Sequence, residues 1–268
     1  MTMTTPPIIL TIAGSDPSGG AGIQADIKTI HACDGYAFSV ITAITAQNTQ
    51  KVDAVYPVPP EQIRHCLDIL IEDQIPDAIK LGMLANEEIL HTLIEWLTHF
   101  KQQHPQVPII ADTVLISSSG TPLLELEAIA LFKTQLLPLC HTFTPNLLEA
   151  RHLLNLTNVD EATLISSLQD WVKQMNNFAI LKGGHSDSDH CTDTLITPKN
   201  IFTLNSPKIC TPNLHGTGCT FASAYASFLA QTQDAYFAFT QAKQYITQAI
   251  EQGQNIKIGQ GNGPLKHL

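Results

Sequence analysis

The sequence is poor in charged side chains and contains no long hydrophobic run. Charged residues make up 14% of its 268 positions, against about 25% in an average protein. The formal net charge of −10 leaves no basic surface for a phosphate backbone, so nucleic acid is excluded as a main partner. No apolar stretch approaches the ~20 residues that cross a bilayer, and the amino terminus lacks the basic start of a signal peptide. We therefore expect a soluble, cytoplasmic protein with no membrane partner.

Cysteine pairs with the spacing of a zinc site are also missing. The six cysteines stand at positions 33, 66, 140, 191, 210 and 219, with no Cys-x-x-Cys among them. Five of them are expected to be reduced, buried thiols of a cytosolic protein, and Cys219 is treated separately below. A chain of this length buries a sufficient core without disulfide or metal support.

The sequence does contain a regular alternation of short apolar strands and amphipathic helices. Strands are predicted at 8–13, 38–44, 78–81, 107–111, 142–144, 178–181 and 194–197, and helices at 21–32, 60–72, 87–100, 123–136, 146–154 and 217–251. This alternation predicts a mostly parallel sheet covered on both faces. Without a linker or repeat, residues 1–268 are expected to form a single α/β domain. Ligands of such sheets bind beyond the carboxyl ends of the strands.

The most informative loop reads His-Gly-Thr-Gly-Cys-Thr-Phe, at residues 215–221. Gly216 and Gly218 permit a tight turn, and the small and apolar residues that follow predict a well-packed helix. A glycine turn that opens a helix directs N–H groups and the positive end of the helix dipole at one place, which favours an anion. Cys219 lies in the same first turn, where the dipole favours its thiolate. The loop predicts a phosphate site beside a reactive side chain.

A second glycine-rich loop, residues 14–22, follows the first strand. Its glycine spacing is close to that of a P-loop, but Gly20 and Ala21 stand where a P-loop has Lys-Ser/Thr, so we reject that interpretation. A glycine-rich helix entry and a ligand-binding loop both remain open. Asp26, one turn into the next helix, is either a favourable charge near a helix N-terminus or an acceptor for a substrate hydroxyl.

Polar side chains follow three further strands. The amide of Gln47 suits the edge of a nitrogen heterocycle, although a surface turn explains this loop equally well. Asn146 and Glu149 have the spacing of a capping box, which is the simpler interpretation. The alternative is an oxygen site for hydrated Mg²⁺, to which Asp112 would add a carboxylate. Lys182 is either a solvated strand end or a point charge on transferring phosphate oxygens.

Segment 185–190 contains four potential metal ligands, His185, Asp187, Asp189 and His190. They follow neither helical nor strand spacing, so a mobile loop is a better interpretation than a metal site. The remaining histidines are scattered and predict nothing.

In their order, seven segments resemble one family: 11–26, 43–49, 80–84, 112–114, 144–150, 182–185 and 215–220. The resemblance is to the ribokinase-like small-molecule kinases, and within them to the hydroxymethylpyrimidine/phosphomethylpyrimidine kinases of thiamine biosynthesis. It implies a three-layer α/β/α sandwich with a central, mostly parallel sheet. It also implies ATP- and Mg²⁺-dependent transfer to 4-amino-5-hydroxymethyl-2-methylpyrimidine, then to its monophosphate, by a homodimer.

The resemblance further implies roles on the acceptor side of the site. Gln47 would read the aminopyrimidine edge, Asp26 and Gly14 would contact the substrate, and Met83 would pack near its ring. Cys219 occupies the place where many relatives carry a catalytic aspartate. As a thiolate it would accept the hydroxyl proton; otherwise it would only position the substrate.

On the nucleotide side, the resemblance implies that Lys182 and Thr217 meet the ATP phosphates. Asn146, Glu149 and Asp112 would hold magnesium, the first two through water. The anion hole would consist of four residues, Gly216, Thr217, Gly218 and Cys219.

Two positions depart from the family pattern. Residues 117–120 read Ser-Ser-Ser-Gly, with Ser118 where relatives often have a lysine, which leaves open how efficient the second phosphorylation is. Leu214 replaces a small polar residue, and only local repacking is expected. Two alternatives also stay open: a pyridoxal or pyridoxine kinase, because some share the fold and the cysteine-type anion hole, and a non-catalytic pyrimidine-binding module.

Overall fold

The computed structural model describes residues 5–115, 126–184 and 189–267. Over these residues, one sheet contains nine strands in the order β3-β2-β1-β4-β5-β6-β7-β8-β9. Their bounds are β1 (Ile8–Ser15), β2 (Tyr36–Gln47), β3 (Val52–Pro57), β4 (Ala78–Leu81), β5 (Ile109–Ala111), β6 (Thr142–Phe143), β7 (Phe178–Leu181), β8 (His190–Ile196) and β9 (Ile201–Pro207). The six strands from β2 to β7 across the centre are parallel, and β3, β8 and β9 add antiparallel pairs at the edges.

The helices cover both faces of the sheet. They are α1 (Gly22–Ala32), α2 (Pro60–Asp73), α3 (Glu87–Gln103), α4 (Leu126–Leu131), α5 (Leu147–Leu154), α6 (Glu161–Met175), α7 (Thr217–Thr232) and α8 (Ala235–Gly253). Helices α1, α7 and α8 pack on one face and α2 to α6 on the other. The expected three-layer sandwich is thereby confirmed.

Strand β1 shows why the central strands have continuous apolar sequences. Leu10 and Ile12 point into the core under α2 to α6, whereas Ile9 points into the core under α1, α7 and α8. Because successive side chains of a strand alternate between its faces, a strand covered on both sides must be apolar at each position. Helix α7 lies at the centre of its layer, where small residues such as Ala222 permit close packing.

Several elements differ from the prediction. Strands β3 and β9 and helix α6 were not expected, and the predicted helix 217–251 is two helices. The break falls at Gln233, which has a φ of 57°, and Asp234 then caps α8 by accepting hydrogen bonds from the Tyr236 and Phe237 amides. The predicted helix 123–136 is described only from Leu126 onward.

The structure also gives the state of the cysteines and the path of the carboxyl-terminal segment. All six cysteines are free, but Cys66 and Cys210 are exposed, so the expectation of five buried thiols is wrong for these two. After α8 the chain returns to the strand ends, where Asn262 N donates to Thr49 O over 3.0 Å. In the described parts of the chain, no helix combines the length and apolar character that crossing a membrane would require.

Candidate active site

A cleft of about 1070 Å³ opens at the carboxyl ends of the parallel strands. Its wall includes every residue expected at the site except Asp26: Gly14, Gln47, Met83, Asp112, Asn146, Glu149, Lys182, Gly216, Thr217, Gly218 and Cys219. These residues come from the ends of β1 and β2, from the segments that follow β4, β5, β6 and β7, and from the start of α7. The structure therefore brings the predicted loops together, as parallel-sheet topology requires.

The glycine turn before α7 forms one end of the site. Gly216 has a φ of 84°, in the left-handed region that favours glycine. A Cβ at Gly216 would overlap the carbonyl oxygen of Gly20, so the two glycine loops lie directly against each other. The amides of Gly218 and Cys219 belong to the first turn of α7, where N–H groups have no intrahelical acceptor. This geometry suits an anion, and we call residues 216–219 the anion turn.

Cys219 itself is a neutral thiol. Burial raises its pKa to about 11, and the nearby Lys80 ammonium only partly offsets that effect. The helix dipole alone would favour the thiolate, but burial shifts the pKa of Cys219 in the opposite direction, so the structure does not support that expectation. At neutral pH the side chain can donate a weak hydrogen bond but holds its proton.

Lys182 lies immediately below this turn, in a charged cluster. Its Nζ is 2.9 Å from Asp112 Oδ1, and a Cβ at Gly218 would lie 3.4 Å from the same nitrogen. Burial alone would lower the pKa of Lys182, but Asp112 and Glu149 outweigh it and raise that pKa. Burial would likewise raise the pKa of Asp112, but Lys182 and Lys80 hold it below its usual value. The cluster thus contains a permanent ammonium ion beside the anion turn.

Asn146 and Glu149 form the capping box that their spacing predicts. Asn146 Oδ1 accepts from Glu149 N over 2.9 Å, and Glu149 Oε2 accepts from Asn146 N over 2.8 Å. Thr113 donates a further hydrogen bond to the same carboxylate oxygen over 2.9 Å. Burial raises the pKa of Glu149, and the negative charge of Asp112 adds to that effect.

Asn146, Glu149 and Asp112 fit a magnesium ion only if waters and substrate phosphates supply most of its ligands. Within the described ranges, no group of three His, Cys, Asp or Glu side chains is placed to hold a metal. The hydrogen bonds that the Glu149 carboxylate accepts from Asn146 N and Thr113 Oγ1 both fall on Oε2, so Oε1 is the oxygen that lies outside the capping box. Mg²⁺ in proteins commonly keeps several waters and binds one or two carboxylates plus substrate phosphates. Of the four potential metal ligands in segment 185–190, His185 and Asp187 lie outside the described residues. His190 is the first residue of strand β8.

Gln47, Met83 and Gly14 form a further part of the cleft lining, which we call the Gln47 wall. The Met83 side chain packs on Gly14, where an added Cβ would lie 2.9 Å from its sulfur. Thr42 Oγ1 fixes the Met83 backbone by donating to its carbonyl over 2.6 Å. Gln47 lies at the end of β2, with its amide beside Thr45 and His215.

Asp26 is not on the cleft wall, so the structure does not support a direct substrate contact. Its carboxylate is fully buried and both oxygens lie 2.9 Å from Lys80 Nζ. Thr11 and Ser223 donate to it over 2.6 and 2.8 Å. This network joins β1, β4, α1 and α7 beneath the anion turn, because the helical position of Asp26 points its side chain toward the sheet.

Sequence reasoning missed a second pair on the wall, Asp16 and His215. His215 Nε2 lies 2.8 Å from Asp16 Oδ2. The sequence analysis included His215 in the motif at residues 215–221 but gave it no role, although its position next to the glycine turn was a usable signal. Lys243 and Asp193 also line the cleft, with Lys243 Nζ 2.9 Å from Asp193 Oδ2, and nothing in the sequence pointed to this pair.

Comparisons with known proteins agree with this geometry. The sequence model of phosphomethylpyrimidine kinases matches residues 16–266. The chain is 40% identical over 263 residues to a hydroxymethylpyrimidine/phosphomethylpyrimidine kinase from Haemophilus influenzae and 38% identical over 260 residues to one from Escherichia coli, with 97% of this chain and 96% of each relative covered. An ADP complex of Bacillus subtilis pyridoxal kinase superposes with a TM-score of 0.86 and 29% identity, covering 98% of both chains.

Both the pyridoxal kinase superposition and the sequence matches extend over nearly the whole chain, so the ribokinase-like fold expected from the sequence is confirmed. The matched residues include the anion turn, the Lys182 cluster, Gln47 and Met83. The chain belongs to the phosphomethylpyrimidine kinase family.

Proposed function

We propose that this protein uses MgATP to phosphorylate the hydroxymethyl group of 4-amino-5-hydroxymethyl-2-methylpyrimidine, and then the resulting monophosphate, for thiamine diphosphate biosynthesis. One observation carries the proposal: the anion turn, the Lys182 cluster and the Gln47 wall line a single cleft. The names of the Haemophilus influenzae and Escherichia coli relatives support the same substrate.

Lys182 and the α7 turn would stabilise the transferring phosphoryl group. Phosphoryl transfer passes through a loose transition state, so placement and positive charge matter more than covalent help. The Gly218 and Cys219 amides and the Lys182 ammonium supply fixed donors near one point. Asp112, 2.9 Å from Lys182 Nζ, keeps that lysine charged and in place before the nucleotide arrives.

Cys219 would anchor the substrate rather than act as a base. A thiol with a pKa of about 11 does not accept a proton at neutral pH. In a loose transition state the hydroxyl keeps its proton until late, which reduces the need for a base. The thiol is then a small, polarisable contact for the hydroxymethyl group at the start of α7.

Glu149 and Asn146 are the residues that would hold the water shell of Mg²⁺. Bound with ATP, the ion neutralises charge on the phosphate oxygens. The role of the protein is to keep Glu149 oriented, which the capping box and Thr113 accomplish.

A pyridoxal kinase is the second candidate, and the TM-score of 0.86 to the Bacillus subtilis enzyme favours it. The Gln47 amide supports the pyrimidine, because it offers an adjacent donor and acceptor to a heterocycle edge. The homodimer implied by the resemblance stays a prediction, which analytical ultracentrifugation would check.

The test is product analysis by mass after incubation with MgATP and either the hydroxymethylpyrimidine or pyridoxal. Sequential mono- and diphosphorylated pyrimidine is the expected result, with the Lys182→Met variant as the inactive control. Phosphorylated pyridoxal without any pyrimidine product would establish the second candidate instead. Binding without turnover of either compound would show a non-catalytic pyrimidine-binding module. The ratio of the two pyrimidine products also measures how efficient the second step is with Ser118 in the chain.

A further inference from the structure

His215 is held rigidly between two polar side chains on the cleft wall. Its Nε2 lies 2.8 Å from Asp16 Oδ2 and 3.3 Å from Gln47 Nε2. The imidazole is 12% exposed and the Asp16 side chain 4%. A Cβ at Gly20 would overlap Cδ2 of the imidazole, so this edge of the ring lies directly against the Gly20 backbone. The His215 amide donates to Gly263 O over 3.2 Å, so the carboxyl-terminal segment fixes the backbone as well.

The proton on His215 Nε2 is assigned by its partner. Asp16 accepts hydrogen bonds from Ser18 and from the Ala21 amide in addition to His215. Burial alone would raise the pKa of Asp16, but the hydrogen bonds from His215 and Ser18 outweigh it and lower that pKa. A carboxylate only accepts hydrogen bonds. Nε2 must therefore carry a hydrogen, whether the ring is neutral or protonated.

The Gln47 amide then has one favourable orientation. With its nitrogen toward His215, the Gln47 amide faces a protonated ring nitrogen over 3.3 Å, and neither nitrogen offers the other an acceptor. On the other side, the single hydroxyl proton of Thr45 is within reach of both Ser15 O at 2.9 Å and Gln47 Oε1 at 3.2 Å, and it can serve only one. Turning the amide by 180° removes both conflicts. Gln47 Oε1 then faces the single Nε2 hydrogen of His215, which it shares with Asp16 Oδ2 in a three-centre hydrogen bond, and Gln47 Nε2 donates to Thr45 Oγ1. Hydrogen-bond partners are what distinguish the two ends of an amide.

We propose that Asp16 and His215 are positioning residues that hold the Gln47 amide with Oε1 toward His215 and Nε2 toward Thr45. They thereby determine the direction in which an aminopyrimidine ring lies in the cleft. This inference deepens the proposed function and rests on it, because it takes Gln47 as the residue that contacts the ring.

The chemistry of the ring explains why the amide direction matters. A 4-aminopyrimidine has its amino donor beside a ring-nitrogen acceptor, and a fixed amide meets that pair in one order only. The reversed amide would match the ring turned over, with its hydroxymethyl group away from Cys219. In a B6 pyridine, a methyl-bearing carbon separates the ring nitrogen from the hydroxyl. A fixed amide therefore selects the aminopyrimidine.

The experiment measures binding of the hydroxymethylpyrimidine without nucleotide, by calorimetry, together with kcat and KM when MgATP is added. His215→Phe should weaken binding of the pyrimidine about 10-fold or more, because the Gln47 amide loses the imidazole that orients it. His215→Gln, which keeps an N–H donor, should restore binding to within about fivefold. In a Gln47→Ala background, His215→Phe should change binding by less than about threefold, since there is no amide left to orient.

Controls separate this role from a structural one. His91→Phe, the same substitution at an exposed position of α3, should leave binding unchanged. Thr45→Val removes the hydroxyl that accepts from Gln47 Nε2, so it should also weaken binding, and only when Gln47 is present. This second variant tests the proposal even if His215→Phe fails to fold. Equal losses in the wild-type and Gln47→Ala backgrounds would overturn the proposal.

Failure of the proposed function gives a different result. Wild-type protein that binds the pyrimidine without phosphorylating it would refute the kinase assignment, while the coupling between His215 and Gln47 would still be measurable. Wild-type protein that binds no pyrimidine would overturn both.

Discussion

Replacing Lys80 with methionine should destabilise the protein strongly, although Lys80 lies outside the cleft wall. Lys80 and Asp26 are both fully buried, and the ammonium lies 2.9 Å from each carboxylate oxygen. Burial alone would lower the pKa of Lys80, but Asp26 outweighs it and raises that pKa, so the pair is ionised. Methionine removes the charge at similar volume, and among the described residues Asp26 then keeps the hydroxyl donors Thr11 and Ser223.

The expected cost follows from the uncompensated charge. Removing one partner of a buried ion pair costs about 3–5 kcal/mol, a large part of the ~5–15 kcal/mol that stabilises a typical domain. Asp26→Asn should cost a similar amount, because it leaves Lys80 unpaired. The double variant leaves no charge behind, so its cost should be smaller than the sum of the single costs by at least ~2 kcal/mol.

Equilibrium urea unfolding of the four proteins measures this coupling, and the thermal midpoint gives an independent check. Lys80→Met should lower the midpoint by on the order of 10 °C. Lys173→Met, on the exposed surface of α6, is the matched control and should lie close to wild type. A single-variant cost below about 1 kcal/mol, or additive costs within about 0.5 kcal/mol, would refute the reasoning.

Three further predictions concern the site and its pH range. Lys182→Met should lower kcat about 10²–10³-fold with a smaller change in KM for the pyrimidine, since the lysine acts on transferring oxygens; an unchanged kcat in steady-state assays would contradict this. Gly216→Ala should lower kcat about 100-fold, because strain at φ 84° and overlap with Gly20 displace the anion turn; wild-type kinetics would contradict it. Burial lowers the pKa of His141 and His267 to about 4. The unfolded chain therefore binds more protons below about pH 6.5, and urea titrations should show stability falling toward pH 4, by up to about 1.4 kcal/mol per unit for each histidine; equal stability at pH 7 and 5 would contradict this.

The central strands and most helices could be predicted because burial on both faces leaves a clear apolar signal. The prediction for Ala78–Leu81 was correct in its bounds even though that strand contains Lys80. Helix α6 also had a signal that was overlooked: Leu164, Leu168 and Val172 recur at helical spacing after the capping residue Asp160. Strands β3 and β9 lie at the sheet edges and are half exposed, so only their pairing with a neighbouring strand reveals them.

Much of the site could be predicted because parallel topology brings consecutive loops to one edge. The direction of a helical side chain could not, and so Asp26 was placed in the cleft rather than under it. Its partner Lys80 lies 54 positions away, and Asp16 and His215 are 199 positions apart. One sequence contains no record of such pairings, since they depend on how the elements pack.

The neutral state of Cys219 has a consequence for redox chemistry. With a pKa of about 11, roughly one molecule in ten thousand carries the thiolate at pH 7. Peroxides and alkylating agents attack thiolates rather than thiols. We therefore expect Cys219 to react slowly with oxidants, and oxidative damage should reach the exposed Cys66 and Cys210 first.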